Sequence, residues 1–279
     1  MTTRTLQALC LVLSACSMVA AQDRRPAPLV DYWPQGIEGA VSLTFDDGLP
    51  SQLATAIPIL NDHDLHGTFY LNAGPDIDWT IQQDLWRPVG AAGHELGNHA
   101  FRHPCSCNHT WIAREHCLDN LELGDIRNFL EITDATLDTL APEQAGARSF
   151  AYPCYESWVG RGAQRRTYVP VIAESFVGGR AGLEMSNDPR WVDLPFTRSF
   201  EMHGQSADEV IAMVEDGMRR GHWVVLTFHG VGGDFIEVEA KDFEAVAAYL
   251  AQQQDRIWTG TFYQVASYIR DRQSGQVAK

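Results

Sequence analysis

The sequence predicts an α/β fold in a single domain, with about seven parallel strands most economically closed into a barrel. Three observations carry this. Short apolar runs at 41–45, 68–72, 95–98, 149–152, 171–176, 191–196 and 223–228 alternate with longer segments of helical periodicity, the pattern of repeated βα units. The first of these runs, Val41-Ser42-Leu43-Thr44-Phe45, stops abruptly at Asp46-Asp47-Gly48, as a buried strand does when it delivers acidic side chains to the rim of a parallel sheet. Finally, 279 residues of which 45% are hydrophobic, with 8 Trp, 12 Phe and 8 Tyr, suffice for one large core.

Taken in order, residues 1–21 read as an export signal, with Arg4 before an apolar stretch from Leu6 to Val19 and small residues at Val19-Ala20-Ala21. The stretch is too short and badly flanked to span a membrane. Leu13-Ser14-Ala15-Cys16 also fits a lipobox, which would make Cys16 a lipid-bearing N-terminus. Residues 22–36 form an extended, Pro- and Arg-rich lead-in, 37–272 the domain itself, and 273–279 a tail. Two segments have one apolar face at helical spacing: Val210, Met213, Val214, Met218 and Phe243, Val246, Ala247, Leu250. The net charge of −15 argues against nucleic acid or an anionic membrane as partner. Beyond the export signal lie four cysteines, Cys105, Cys107, Cys117 and Cys154. In an exported chain they imply two disulfides, with three pairings open. Their Cys-x-Cys spacing does not suit a zinc cluster.

The chemistry concentrates in a few short stretches. His94-Glu95 suggests the metalloprotease motif His-Glu-x-x-His, but the fifth position is Asn98, so that motif fails. His99 and His103 are the better pair, since four residues on a helical turn place two imidazoles on one face. Two histidines and one carboxylate make a three-ligand metal site with a position open for water. Asp-Gly also suits a plain turn, and an isolated His-x-x-x-His also suits a surface. The absence of Gly-x-Ser-x-Gly disfavours a serine hydrolase.

Thr44-Phe45-Asp46-Asp47-Gly48 followed by His99-x-x-x-His103 resembles the polysaccharide deacetylase family (NodB homology, carbohydrate esterase family 4). The match continues through Phe150-Ala151-Tyr152-Pro153, Leu226-Thr227-Phe228-His229-Gly230 and Ile257-Trp258, across about residues 38–270. The resemblance implies a distorted (β/α) barrel that hydrolyses acetyl groups from sugars of an acetylated polysaccharide. It implies Asp47, His99 and His103 as ligands of a divalent metal, with zinc first and cobalt, nickel or manganese also accepted. Asp46 would be the general base and His229 the general acid. The third segment departs from the family, which often has Arg-x-Pro there: position 151 is alanine, and Arg148 stands three residues too early. The resemblance leaves the backbone N–H of Cys154 for the oxyanion. Arg180, after a strand candidate, is then either the substitute partner for Asp46, reaching in from the neighbouring strand end, or a surface arginine. A bridge from Cys154 to Cys105 or Cys107 would brace the metal loop. Asp193 either orients His229 or is structural.

Overall fold

The structure, a computed structural model, describes residues 32–74 and 79–275. The predicted export signal, including Cys16, and the last four residues of the tail lie outside the described residues. Eight strands run parallel: β1 (Gly39–Asp46), β2 (Thr68–Leu71), β3 (Glu95–Asn98), β4 (Phe150–Ala151), β5 (Gly179–Leu183), β6 (Thr197–Glu201), β7 (Trp223–Phe228) and β8 (Ile257–Thr259). Neighbours pair in the order β1 to β7, and β7 closes back on β1 from Ala40↔Trp223 to Phe45↔Phe228. The other edge of β1 is shared, by β8 at Gly39–Val41 and by β2 at Thr44–Asp46. The result is a seven-stranded barrel with β8 tucked below β2, distorted further by a β4 of only 2 residues.

Strand alternation decides what faces where. In β1, Leu43 and Phe45 pack outward with Phe69, Trp86, Leu226, Phe228 and Phe243 in the main core between barrel and helices. Ser42, Thr44 and Asp46 face inward, where the lining is polar: Thr227 Oγ1 donates to Ser199 Oγ at 2.9 Å and Thr68 Oγ1 to Glu95 Oε2 at 2.9 Å. Because inward positions recur every second residue, the strand ends carry the same stripe upward. Asp46, His99, Glu201 and His229 therefore emerge at the barrel's C-terminal rim.

The outer helices include α1 (Ile57–Asp62), α2 (Trp79–Ala91), α3 (Leu123–Leu140), α4 (Val169–Ser175), α5 (Ala207–Arg220), α6 (Ala240–Gln252) and α7 (Phe262–Gln273). The apolar faces predicted at 210–218 and 243–250 are those of α5 and α6, buried except for Met213, which is half-buried. Two expected strands are corrected. The run 171–176 belongs to α4, which has proline in its first turn; six apolar-rich residues do not by themselves separate strand from helix. The run 191–196 ends in a single 3₁₀ turn at Leu194–Phe196 that leads into β6. The true β5 was hidden by its sequence, Gly-Arg-Ala-Gly-Leu, which is poor in the β-branched residues that mark strands. Gly179 is required there: a Cβ would lie 2.6 Å from the Pro195 carbonyl oxygen.

Candidate active site

The site is built first by how β1 ends. Asp46 closes the strand, and Asp47 (φ 73°) and Gly48 (φ 64°) then turn left-handed. A Cβ on Gly48 would meet Leu71 Cδ2 at 2.8 Å, and the left-handed φ strains any other residue, so glycine is favoured. This abrupt turn lets two successive carboxylates face one space, where strand alternation alone would have sent them apart.

His99 continues the inward stripe of β3, and His103 reaches the same point from the following turn. The expected helical turn is absent. Ala100, Arg102 and His103 all have positive φ, with His103 N–H donating to the Ala100 carbonyl at 3.1 Å. A tight left-handed turn, not helical spacing, brings the two imidazoles to 4.7 Å between ring centres. Such backbone is costly for non-glycine residues and marks functional segments. His99 Nδ1 donates to the Ala151 carbonyl at 2.9 Å. His103 Nδ1 lies 3.5 Å from the Cys105 sulfur, which carries no proton of its own because it is bridged. Both rings therefore turn an unprotonated Nε2 toward Asp47, at 3.6 and 3.5 Å from its Oδ1. Burial, above all, holds both imidazoles down to about 4, so they are neutral near pH 7.

Three lone-pair donors thus face one another at separations too long for hydrogen bonds. Tetrahedral coordination with bonds of about 2.1 Å places adjacent ligand atoms about 3.4 Å apart. The Asp47, His99, His103 set fits a divalent cation on chemistry and on spacing, and the Ala151 carbonyl fixes the tautomer of one ligand as metal sites require.

Asp46 is partnered differently. Arg180 is fully buried, and its Nη2 donates to Asp46 Oδ1 at 2.6 Å and Oδ2 at 2.5 Å. Burial opposes ionisation of Asp46, but Arg180, then His99 and His229, outweigh it and hold the carboxyl below its usual range. Arg180 stands on β5 in register with Ala151 of β4, one strand over from the departure seen in sequence and at the same height. Tyr70 and Tyr155 flank its guanidinium at 5.4 and 5.3 Å. Arg148 pairs instead with Asp138 and the Ala141 carbonyl, away from the site.

His229 Nε2 lies 3.9 Å from Asp46 Oδ2, and its Nδ1 has no hydrogen-bond partner among the described residues. Asp193 does not orient it: that residue precedes β6 at the opposite end of the barrel. Sequence reasoning missed Gln52, whose Nε2 donates to the Asp46 carbonyl at 2.6 Å and the His229 carbonyl at 3.0 Å; a glutamine in Ser-Gln-Leu carries no motif. Of the open cysteine pairings, the structure has Cys105–Cys154 and Cys107–Cys117. The first ties the His103 turn to the Cys154 loop, itself left-handed at Cys154 and Tyr155. Asp46, Asp47, His103, Cys154 and His229 border a cavity of about 550 Å³ that also takes in Asn72, Tyr155 and Glu201.

A family profile described as polysaccharide deacetylase matches residues 35–154, the segment holding both aspartates and both histidines but not Arg180 or His229. A gellan lyase from a Bacillus species is 22% identical over 280 positions, covering 89% of this chain and 10% of that protein. A chitin deacetylase from Colletotrichum lindemuthianum is 34% identical over 68 residues, 24% of this chain and 27% of that protein. The chain thus spans only a small part of the length of the curated relatives it matches. Among solved structures, a Mycobacterium smegmatis protein assigned to the polysaccharide deacetylases superposes with a TM-score of 0.59 at 16% identity, over 86% of this chain and 93% of that one. At that identity the likeness is one of fold.

Proposed function

We propose, for a chain that belongs to the polysaccharide deacetylase family, that it is an exported, metal-dependent hydrolase removing acetyl groups from sugar units, with residues 37–272 as its catalytic domain. The observation that carries this reading is the division of labour between two adjacent carboxylates. Asp47 Oδ1 faces the Nε2 atoms of two neutral imidazoles, while Asp46, whose Oδ2 lies 3.8 Å from His99 Nε2, has both oxygens engaged by Arg180. When bound there, a divalent cation supplies Lewis acidity toward the acetyl carbonyl and lowers the pKa of water; zinc suits the donors, as do cobalt, nickel and manganese.

The chain's own groups do the rest. Arg180 keeps Asp46 ionised and aimed, so that it takes the proton of the attacking water. His229, on the same inward stripe, gives a proton to the departing nitrogen or oxygen. The Tyr155 N–H is already committed to the Tyr152 carbonyl at 3.0 Å, and the Cys154 N–H beside it is the donor to the developing oxyanion, a role that needs no particular side chain. The alternative, a catalytically silent sugar-binding protein, is motivated by Ala151. Arg180 at the paired position favours the enzyme. Export is supported by two disulfides, which persist in oxidising compartments, and by the segment 1–21, with Cys16 as a lipid-anchored variant of the same route.

Acetate release is the test, with chitooligosaccharide (an N-acetylglucosamine polymer, as in chitin or peptidoglycan) and O-acetylated xylan side by side. The preferred substrate separates amide from ester hydrolysis. His229→Ala is expected to keep its bound cation and lose roughly a hundredfold or more in turnover. Near-parental turnover would reject the acid assignment, and no release from either substrate would return the silent reading.

A further inference from the structure

The cavity of about 550 Å³ is far larger than an acetyl group needs, and the site chemistry leaves two of its walls unexplained. Trp111 is 61% exposed and Phe235 51% exposed, and both line this cavity. Each leans over a different site histidine. The Trp111 ring centre is 5.8 Å from that of His103, and the Phe235 ring centre is 5.7 Å from that of His229. His103 follows β3 and His229 follows β7, with Asp46 and Asp47 at the end of β1 between them. The two aromatic rings therefore flank the carboxylate pair.

Neither ring is on a loose tip. Trp111 lies within the loop closed by Cys107–Cys117, and its other neighbour is His109 at 5.4 Å. Phe235 lies in a loop closed by the pairing of Gly230–Val231 with Glu237–Val238 and anchored by Ser51 N–H donating to Asp234 Oδ2 at 2.7 Å. Exposed aromatic rings on braced loops lose little freedom when they bind. Their π faces attract the weakly positive C–H face of a pyranose.

We propose that Trp111 and Phe235 are sugar platforms on either side of the reacting unit. The substrate is then an internal unit of a linear glycan, held by its neighbours and not by its own ring alone. The inference rests on the deacetylase reading for its purpose, but the binding it asserts does not depend on turnover.

Calorimetric titration with chitohexaose and with unacetylated xylohexaose tests it directly. The parent protein is expected to bind at least one of them. Trp111→Ala and Phe235→Ala should each weaken that binding about five- to tenfold, with the unfolding temperature unchanged because both side chains are exposed. Trp191→Ala is the control: this ring is 80% exposed in the segment leading into β6, at the far end of the barrel. In deacetylation the same two cavity variants should raise KM on the hexamer with kcat within about twofold, and the rise should shrink as the oligosaccharide shortens. Failure of both hexamers to bind the parent, or parental affinity in both cavity variants, overturns the proposal. Aromatic-dependent binding without acetate release would sink the deacetylase reading and leave the platforms standing.

Discussion

Arg180 brings to Asp46 from β5 a guanidinium that β4 lacks at the paired position, Ala151. The family's arginine position is occupied by Ala151, and the guanidinium arrives from the paired residue of the next strand, fully buried, to meet both oxygens of Asp46. Removing one partner of a buried ion pair strands the other, at a cost of about 3–5 kcal/mol. Arg180→Met is therefore expected to lower both stability and turnover, while cation binding at Asp47, His99 and His103 persists. Moving the charge back, as Ala151→Arg with Arg180→Ala, should recover part of the turnover, read as acetate release; no recovery at all would mean that position on β5 matters and not the charge alone. Asp46, Asp47, His99, His103 and His229 were legible in the sequence because each ends or follows a recognisable apolar run. Gln52 was not, because an amide that bridges two backbone carbonyls leaves no pattern in the chain. Tyr155 and Glu201, hydrogen-bonded at 2.7 Å, were missed for the same reason: their role exists only once β4, β5 and β6 are side by side.

Among the elements, the loops after β3 and β4 carry the greatest conformational burden. Five of their residues, Ala100, Arg102, His103, Cys154 and Tyr155, have positive φ, and the Cys105–Cys154 bridge joins the two loops across 49 residues of sequence. On loop-closure entropy a bridge of that span contributes about 4 kcal/mol, against about 3 kcal/mol for the 10-residue Cys107–Cys117 span. Denaturant melts of the paired serine variants should rank them in that order. Loss of the long bridge should also weaken cation affinity, because it frees the His103 turn; unchanged affinity would contradict the bracing role. Strands were legible where alternation or β-branching was strong: 95–98 and 223–228 match their predicted bounds. The β5 and β6 strands were misplaced because glycine, arginine and serine fill them, chosen for what the barrel interior needs and not for strand propensity.

Across the whole molecule, the polar barrel interior and its buried histidines tie stability to pH. His94, outside the site, accepts the Gly67 N–H on Nδ1 at 3.0 Å and meets Asn61 Oδ1 at 3.1 Å through Nε2. Burial lowers it from 6.5 to about 4, so the unfolded chain takes up its proton first. The contribution is complete above 6.5 and lost as pH falls toward 4, up to about 3 kcal/mol. Chemical denaturation between these limits should show the decline, and His94→Asn should flatten it; an unchanged slope would remove His94 from the account. In the proposed chemistry, neighbouring carboxylates divide the work, one for a cation and one for a proton. Equilibrium dialysis against zinc, run with acetate release on the same samples, tests it most directly. The parent is expected to bind one equivalent, Asp47→Ala to bind at least about a hundredfold more weakly, and Asp46→Asn to bind fully without turnover. Stoichiometric zinc in Asp47→Ala, or parental acetate release by Asp46→Asn, would contradict it.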